Sequence, residues 1–153
     1  MRVWTDGAYS SRSGCGGWAW ATSLAEYRSG ATQPTTNNRM EQMAVLDALL
    51  FFYQFPEPIE IISDSLYVVN SMNKGWCATW EKNSWTKKQS GRTVVVPNND
   101  LWSRILKGVR LHEAGVTFEW VRGHSGDRMN SFVDQLAVEQ RLGLENELNA
   151  RMP

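Results

Sequence analysis

Four acidic residues stand where chemistry could be done: Asp6, Glu41, Asp64 and Asp134. Asp6 is followed by Gly7, which lets a ligand approach the backbone closely. Asp64 directly follows the apolar run Ile59 to Ser63, and in open α/β sheets ligands gather at the carboxyl ends of strands. Glu41 lies in the first turn of a long helical pattern, and Asp134 sits among Phe132, Val133, Leu136 and Ala137. An acid among apolar neighbours is costly to desolvate unless something cationic meets it. Each acid alone has an ordinary explanation. Asp6 could start a turn, Glu41 could favour a helix N-terminus through the dipole, Asp64 with Ser65 could cap the next helix, and Asp134 could be a half-exposed helix residue. Together they permit a cluster of hard oxygen ligands containing no His or Cys, which suits Mg²⁺ or Mn²⁺ rather than zinc. Spacing along the chain does not show that the four converge.

The elements that must position these acids read as an α/β domain. Residues 2–9 and 17–23, rich in Val, Trp and Tyr, read as strands joined by a Ser/Gly loop, and residues 25–32 as a third strand. Thr35, Thr36, Asn37 and Asn38 supply N-cap candidates for a helix from about Arg39 to Tyr53, with Met40, Met43, Ala44, Leu46 and Leu50 on its buried face. Pro56 and Pro58 end it. Ile59 to Ser63 has the composition of a central strand covered on both faces. Residues 66–73 and 78–83 read as short helices, and 84–98 as an irregular arm carrying Lys87, Lys88 and Arg92. Asn98 and Asn99 with Asp100 begin another helix, which spaces Leu101, Ile105, Val109 and His112 along one face before stopping near Gly115, and residues 116–121 read as a strand. A loop, 122–128, leads to a last helix from about Met129 to Leu142. The order is β-β-β-α-β-α-α-α-β-α, a mixed sheet. Residues 143–153 are expected to be a poorly ordered tail.

Composition excludes several classes. At 153 residues the chain suits one domain. Two cysteines make no disulfide scaffold, and no Cys/His cluster has zinc-ligand spacing. The first residues hold no apolar signal core, and no apolar run approaches the roughly 20 residues that span a bilayer. The expectation is a reduced, cytoplasmic, monomeric protein with no membrane association. Sixteen basic and sixteen acidic residues balance, but unevenly. Residues 74–128 carry ten basic and five acidic side chains together with five of the eight tryptophans. Basic residues interleaved with aromatics point towards nucleic acid.

Five blocks occur in order: Thr5-Asp6-Gly7; Thr35 to Glu41; Ser63-Asp64-Ser65 with Tyr67-Val68; Trp120 to Gly126; and Asn130 with Asp134 to Ala137. Together they resemble ribonuclease H of the bacterial type 1 class, over residues 2 to 142. The resemblance implies the ribonuclease H-like fold, a five-stranded mixed β-sheet flanked by helices. It also implies that Asp6, Glu41, Asp64 and Asp134 are the metal ligands. The implied reaction is hydrolysis of the RNA strand of an RNA/DNA hybrid, leaving 5′-phosphate and 3′-hydroxyl ends. Two metal ions about 3.5 to 4 Å apart serve such chemistry by activating water and stabilising the leaving oxygen. Four carboxylates packed together should raise at least one pKa in the metal-free protein.

The resemblance assigns His124, in a Gly-flanked loop, a proton-transfer role, and gives His112 none. Asn37, Asn38 and Asn130 become candidate substrate contacts, with Asn37 and Asn38 reading 2′-hydroxyls and Thr36 binding a DNA phosphate. Trp76, Trp80 and Trp85 resemble the basic protrusion of the family; Trp85 with Lys87 and Lys88 is expected to face the substrate, and the other two to pack. Departures exist. The loop after Asp6 lacks the Asn-Pro of many bacterial members, leaving Arg12 to remake a contact alongside Gly7, and Leu66 stands where a Gln is frequent. Weaker or differently placed hybrid binding is expected, with the chemistry intact. A DNA-cutting nuclease and a non-catalytic hybrid-binding module are the competing readings, since fold alone does not choose a substrate.

Overall fold

A computed structural model describes residues 1–153 and places Asp6 on an inner strand of a five-stranded sheet. Strands β1 (Arg2–Tyr9), β2 (Gly16–Ser23) and β3 (Glu26–Thr32) form an antiparallel meander. Helix α1 (Asn37–Phe51) then crosses to β4 (Ile59–Ser63), which pairs parallel with β1. After α2 (Leu66–Asn73), α3 (Trp76–Lys82) and α4 (Asn99–Leu111), strand β7 (Val116–Trp120) adds parallel to β4. The sheet order is β3-β2-β1-β4-β7. Ile59, Ile61, Ile62 and Ser63 are all buried, as a strand covered on both faces requires.

The larger core lies between the sheet and the helices α1, α2 and α4. It contains Val3, Trp20, Val45, Leu49, Ile61, Val68, Trp102 and Ile105. Its two largest side chains keep their polar ends satisfied: Trp20 Nε1 donates to Asp47 Oδ2 at 2.7 Å, and Trp102 Nε1 to the Tyr67 hydroxyl at 2.9 Å. A smaller cluster, Ala19, Ala21, Val133 and Ala137, seats α5 (Arg128–Arg151) on the other face. The small residues matter. A Cβ on Gly17 would stand 2.0 Å from the Ala137 carbonyl oxygen, so α5 lies against β2 at backbone contact.

Several elements differ from the sequence-based expectation. Residues 84–98 are not irregular: β5 (Thr86–Gln89) and β6 (Arg92–Val95) form a hairpin across Ser90 and Gly91, both at positive φ. Helix α1 starts at Asn37, two residues early, because Thr36 Oγ1 caps it by accepting from the Arg39 N–H. Its buried face uses Leu49, and Leu50 is 51% exposed. Helix α5 runs on to Arg151 instead of stopping near Leu142, so residues 143–151 are helical. The i,i+4 ion pairs Arg141–Glu145 and Arg151–Glu147 support this extension.

Candidate active site

The parallel register of β1 and β4 creates the site. Thr5 pairs with Ser63, so Asp6, still within β1, and Asp64, the first residue after β4, stand at the same level. Glu41 arrives from α1, whose second turn lies against β1. A Cβ on Gly7 would stand 2.6 Å from the Glu41 nitrogen and 2.7 Å from the Met40 carbonyl carbon. Gly7 is therefore required by the contact between strand and helix, a reason the sequence did not reveal beside the expected ligand approach. The helix-dipole explanation of Glu41 also falls away, since the acid lies beyond the first turn.

Asp6, Glu41 and Asp64 each offer an oxygen, and these oxygens lie within 4.8 Å of one another. Asp6 and Glu41 are 3% and 5% exposed. No cation stands among them in the set of ion pairs, and Glu41 Oε2 is buried with no hydrogen-bond partner. Burial, with repulsion from Asp64, pushes the Asp6 carboxyl up to about 8, against relief from Glu41 and from the Gly7 N–H that donates to Oδ1 at 2.9 Å. Burial and repulsion from Asp6 hold Glu41 well above the usual carboxylate range. Burial raises Asp64 too, opposed by its hydrogen bond with Asp6. The expected elevation of at least one acid is thus present in three.

Asp64 is fixed by its surroundings. Ser65, not Asp64, caps α2 by accepting from the Val68 N–H, which leaves the Asp64 carboxylate free. Trp120 Nε1 donates to the Asp64 carbonyl at 3.1 Å. A Cβ on Gly123 would lie 3.0 Å from Asp64 Oδ2, so the loop after β7 passes directly over the acid. These supports from Trp120 and Gly123 were not anticipated, although both residues belong to the Trp120-to-Gly126 block.

Asp134 stands on α5, half-buried and outside the group of three, yet close enough that its charge raises both Asp6 and Asp64. Asn130 is buried one turn earlier, and its side-chain hydrogen bond lowers Asp64; it holds the acid rather than projecting outward. His124 is exposed at φ +56°, and its charge reaches Asp64. His112 is buried elsewhere, with Nε2 2.9 Å from the Glu57 carbonyl oxygen.

The remaining candidates lie outside this group of acids. Arg12 is exposed in the loop between β1 and β2, and Thr36, Asn37 and Asn38 are exposed at the start of α1. Arg39 ties that start to the beginning of α4 through a bidentate pair with Asp100 and a bond to Asn98 Oδ1. Lys87 and Lys88 lie on β5; Lys88 is exposed, and Lys87 Nζ sits 5.8 Å above the Trp80 ring. The tryptophans divide differently from expectation. Trp85 is half-buried against the main core with Trp80, whereas Trp76 is 39% exposed.

An arrangement of hard oxygen donors beside an unpaired buried carboxylate oxygen fits a divalent cation. Comparison with known proteins agrees with such chemistry. The family model described as RNase H matches residues 1–141. A ribonuclease H of Chlorobium chlorochromatii is 41% identical over 142 residues, covering 91% of this chain and 93% of the relative. Among solved structures, LC9-RNase H1, described as a type 1 RNase H with the type 2 active-site motif, superposes with a TM-score of 0.72 at 26% identity, over 93% of this chain and 72% of that one. A foamy viral protease-reverse transcriptase in complex with RNA/DNA hybrid gives 0.77 at 18% identity, over 93% of this chain and 20% of that one, a likeness of fold.

Proposed function

The chain belongs to the ribonuclease H family, and we propose on that footing that it is an endoribonuclease cutting the RNA strand of RNA/DNA hybrids with divalent metal. The observation that carries this reading is the convergence of Asp6, Glu41 and Asp64 from β1, α1 and the end of β4. With Asp134 they would hold two ions, Mg²⁺ or Mn²⁺. Such ions, when bound, supply charge neutralisation at the attacking and leaving oxygens of the phosphodiester.

The chain's own residues do the rest. Asp6 and Glu41, buried together, would release their proton to solvent and hold a divalent cation between them. The Gly7 N–H aims Asp6, while Trp120 and Asn130 hold Asp64. His124, on its exposed loop, accepts a proton from the attacking water or delivers one to the departing product. In the reaction a water oxygen bonds to phosphorus and the bond from phosphorus to the 3′-oxygen breaks. One product then ends in a 5′-phosphate and the other in a 3′-hydroxyl.

Specificity for a hybrid needs 2′-hydroxyl contacts on one strand and phosphate contacts on the other. Asn37 and Asn38 expose their amides in the first turn of α1, the turn before Glu41, with Thr36 and the helix N-terminus next to them. Arg12, Lys87 and Lys88 add positive charge on the loop after β1 and on β5, and Trp85 sits at the base of the arm. Residues 1–142 are assigned to the catalytic domain, acting as a cytoplasmic monomer; no helix is long and apolar enough to cross a membrane. Incubation with labelled RNA/DNA hybrid, double-stranded RNA and double-stranded DNA in Mg²⁺, with and without EDTA, tests the proposal. Cleavage of the hybrid's RNA strand alone, abolished by EDTA and by Asp6→Asn, is expected. Preferential cutting of DNA would overturn it.

A further inference from the structure

The loop between β1 and β2 is dense in bonds. The Ser10 N–H donates to the Cys15 carbonyl at 3.0 Å, and the Gly14 N–H to the Ser10 carbonyl at 2.9 Å. This leaves Ser11 and Arg12 as an exposed tip. Ser13 is the hub beneath it. Its carbonyl accepts from Gln33 Nε2 at 2.8 Å, its Oγ accepts from the Cys15 N–H at 3.2 Å, and its hydroxyl donates to Glu145 Oε1 at 2.7 Å. The adjoining Gly14 carbonyl accepts from the Thr35 N–H at 3.2 Å, one residue before the Thr36 cap of α1. A continuous tie thus runs from the C-terminal part of α5, through Ser13, to the start of α1.

Glu145 belongs to the stretch of α5 beyond the matched residues 1–141. Its side chain is only 18% exposed, against 55% for Glu147 on the same stretch. It accepts at one oxygen from both Ser13 and Arg141, the latter at 2.9 Å. A carboxylate held by two donors in a half-buried setting is firmer than an exposed surface pair.

We infer that Glu145 is a positioning residue for substrate binding: it clips α5 to the loop between β1 and β2 and so fixes the surface that Arg12 and residues 36–38 present to the hybrid. The inference rests on the reading of those residues as hybrid contacts. Glu145 is about three helical turns from Asp134, some 16 Å along α5, so it acts on binding and not on the acids. Its removal should therefore raise KM and spare kcat.

The test is steady-state cleavage of a labelled hybrid in Mg²⁺ by the wild type and by Glu145→Ala, Glu145→Gln, Ser13→Ala and Glu147→Ala, with a thermal melt of each. Loss of a hydrogen bond to a charged group should raise KM about five- to tenfold in Glu145→Ala and Ser13→Ala, with kcat within about twofold. Glu145→Gln keeps an acceptor for Ser13 and should restore most of the KM. Glu147→Ala, which removes only the exposed pair with Arg151, should match the wild type. Wild-type cleavage with an unchanged KM in Glu145→Ala overturns the inference alone, as does an equal KM rise in Glu147→Ala. Absence of wild-type cleavage would overturn the functional reading and the inference with it.

Discussion

Replacing Asp6 by asparagine should destroy activity while making the metal-free protein more stable. In the folded chain Asp6 is lifted from the ordinary 3.8 to about 8, first by burial and then by repulsion from Asp64. In the unfolded chain it titrates at its ordinary value. Between those two values the folded protein keeps a proton that the unfolded chain has released. Stability therefore falls as pH rises from about 4, and the loss is complete above about 8. At pH 7 roughly three pH units of this penalty have accumulated, which at 1.36 kcal/mol per unit is about 4 kcal/mol. Asparagine keeps the shape and an oxygen for the Gly7 N–H but carries no charge. Glu41 and Asp64 share the repulsion, so part of the gain is already taken by them, and about 2 to 4 kcal/mol should appear. For a domain of this size that is a rise of roughly 5 to 15 °C in Tm. Melts of both proteins in EDTA from pH 4 to 8 measure it. The difference should be largest near pH 8 and nearly vanish at pH 4. A less stable variant, or a difference that ignores pH, would refute the reasoning. Mg²⁺ should raise the Tm of the wild type and raise that of Asp6→Asn much less.

His124→Ala should lose at least tenfold in cleavage rate near neutral pH with an unchanged melt; a loss below about threefold removes His124 from the reaction. Gly7→Ala should cost about 2 to 3 kcal/mol of stability, because the new methyl meets the α1 backbone at 2.6 to 2.7 Å; chemical denaturation measures it, and a neutral result would show that β1 and α1 can separate freely. Replacing Lys87 and Lys88 together by alanine should reduce the slope of log binding constant against log salt by up to about two, and the wild-type slope should stay well below ten. An unchanged slope would place the arm away from the phosphates.

The strands and helices that carry the acids were legible because their apolar runs are long and their breaks are marked by proline, glycine or a capping residue. The hairpin β5–β6 was missed because cations interrupt its alternation: Lys87, Lys88 and Arg92 hide the pattern that Thr86, Val94 and Val95 begin. Ser90-Gly91 was the available signal, a two-residue connection with both residues at positive φ. The extension of α5 was missed at Gly143, which reads as a helix stop but faces open space, while flanking ion pairs carry the helix past it. For the site, residue types pointed to a cation, and order along the chain pointed to a family. The meeting of Asp6 with Asp64 depends on pairing between strands more than fifty residues apart, which no local pattern encodes. The dual task of Gly7 was hidden for the same reason.

The register that sets Thr5 opposite Ser63 also links the site to the pairing of the strands. Side chains alternate between the faces of a sheet, so a one-residue slip of β1 would turn Asp6 to the opposite face and take buried Val3 out of the larger core in exchange. A chain mispaired in this way loses its cation site together with its core. Correct pairing of β1 with β4 is thus a condition for any cation binding or cleavage at this site.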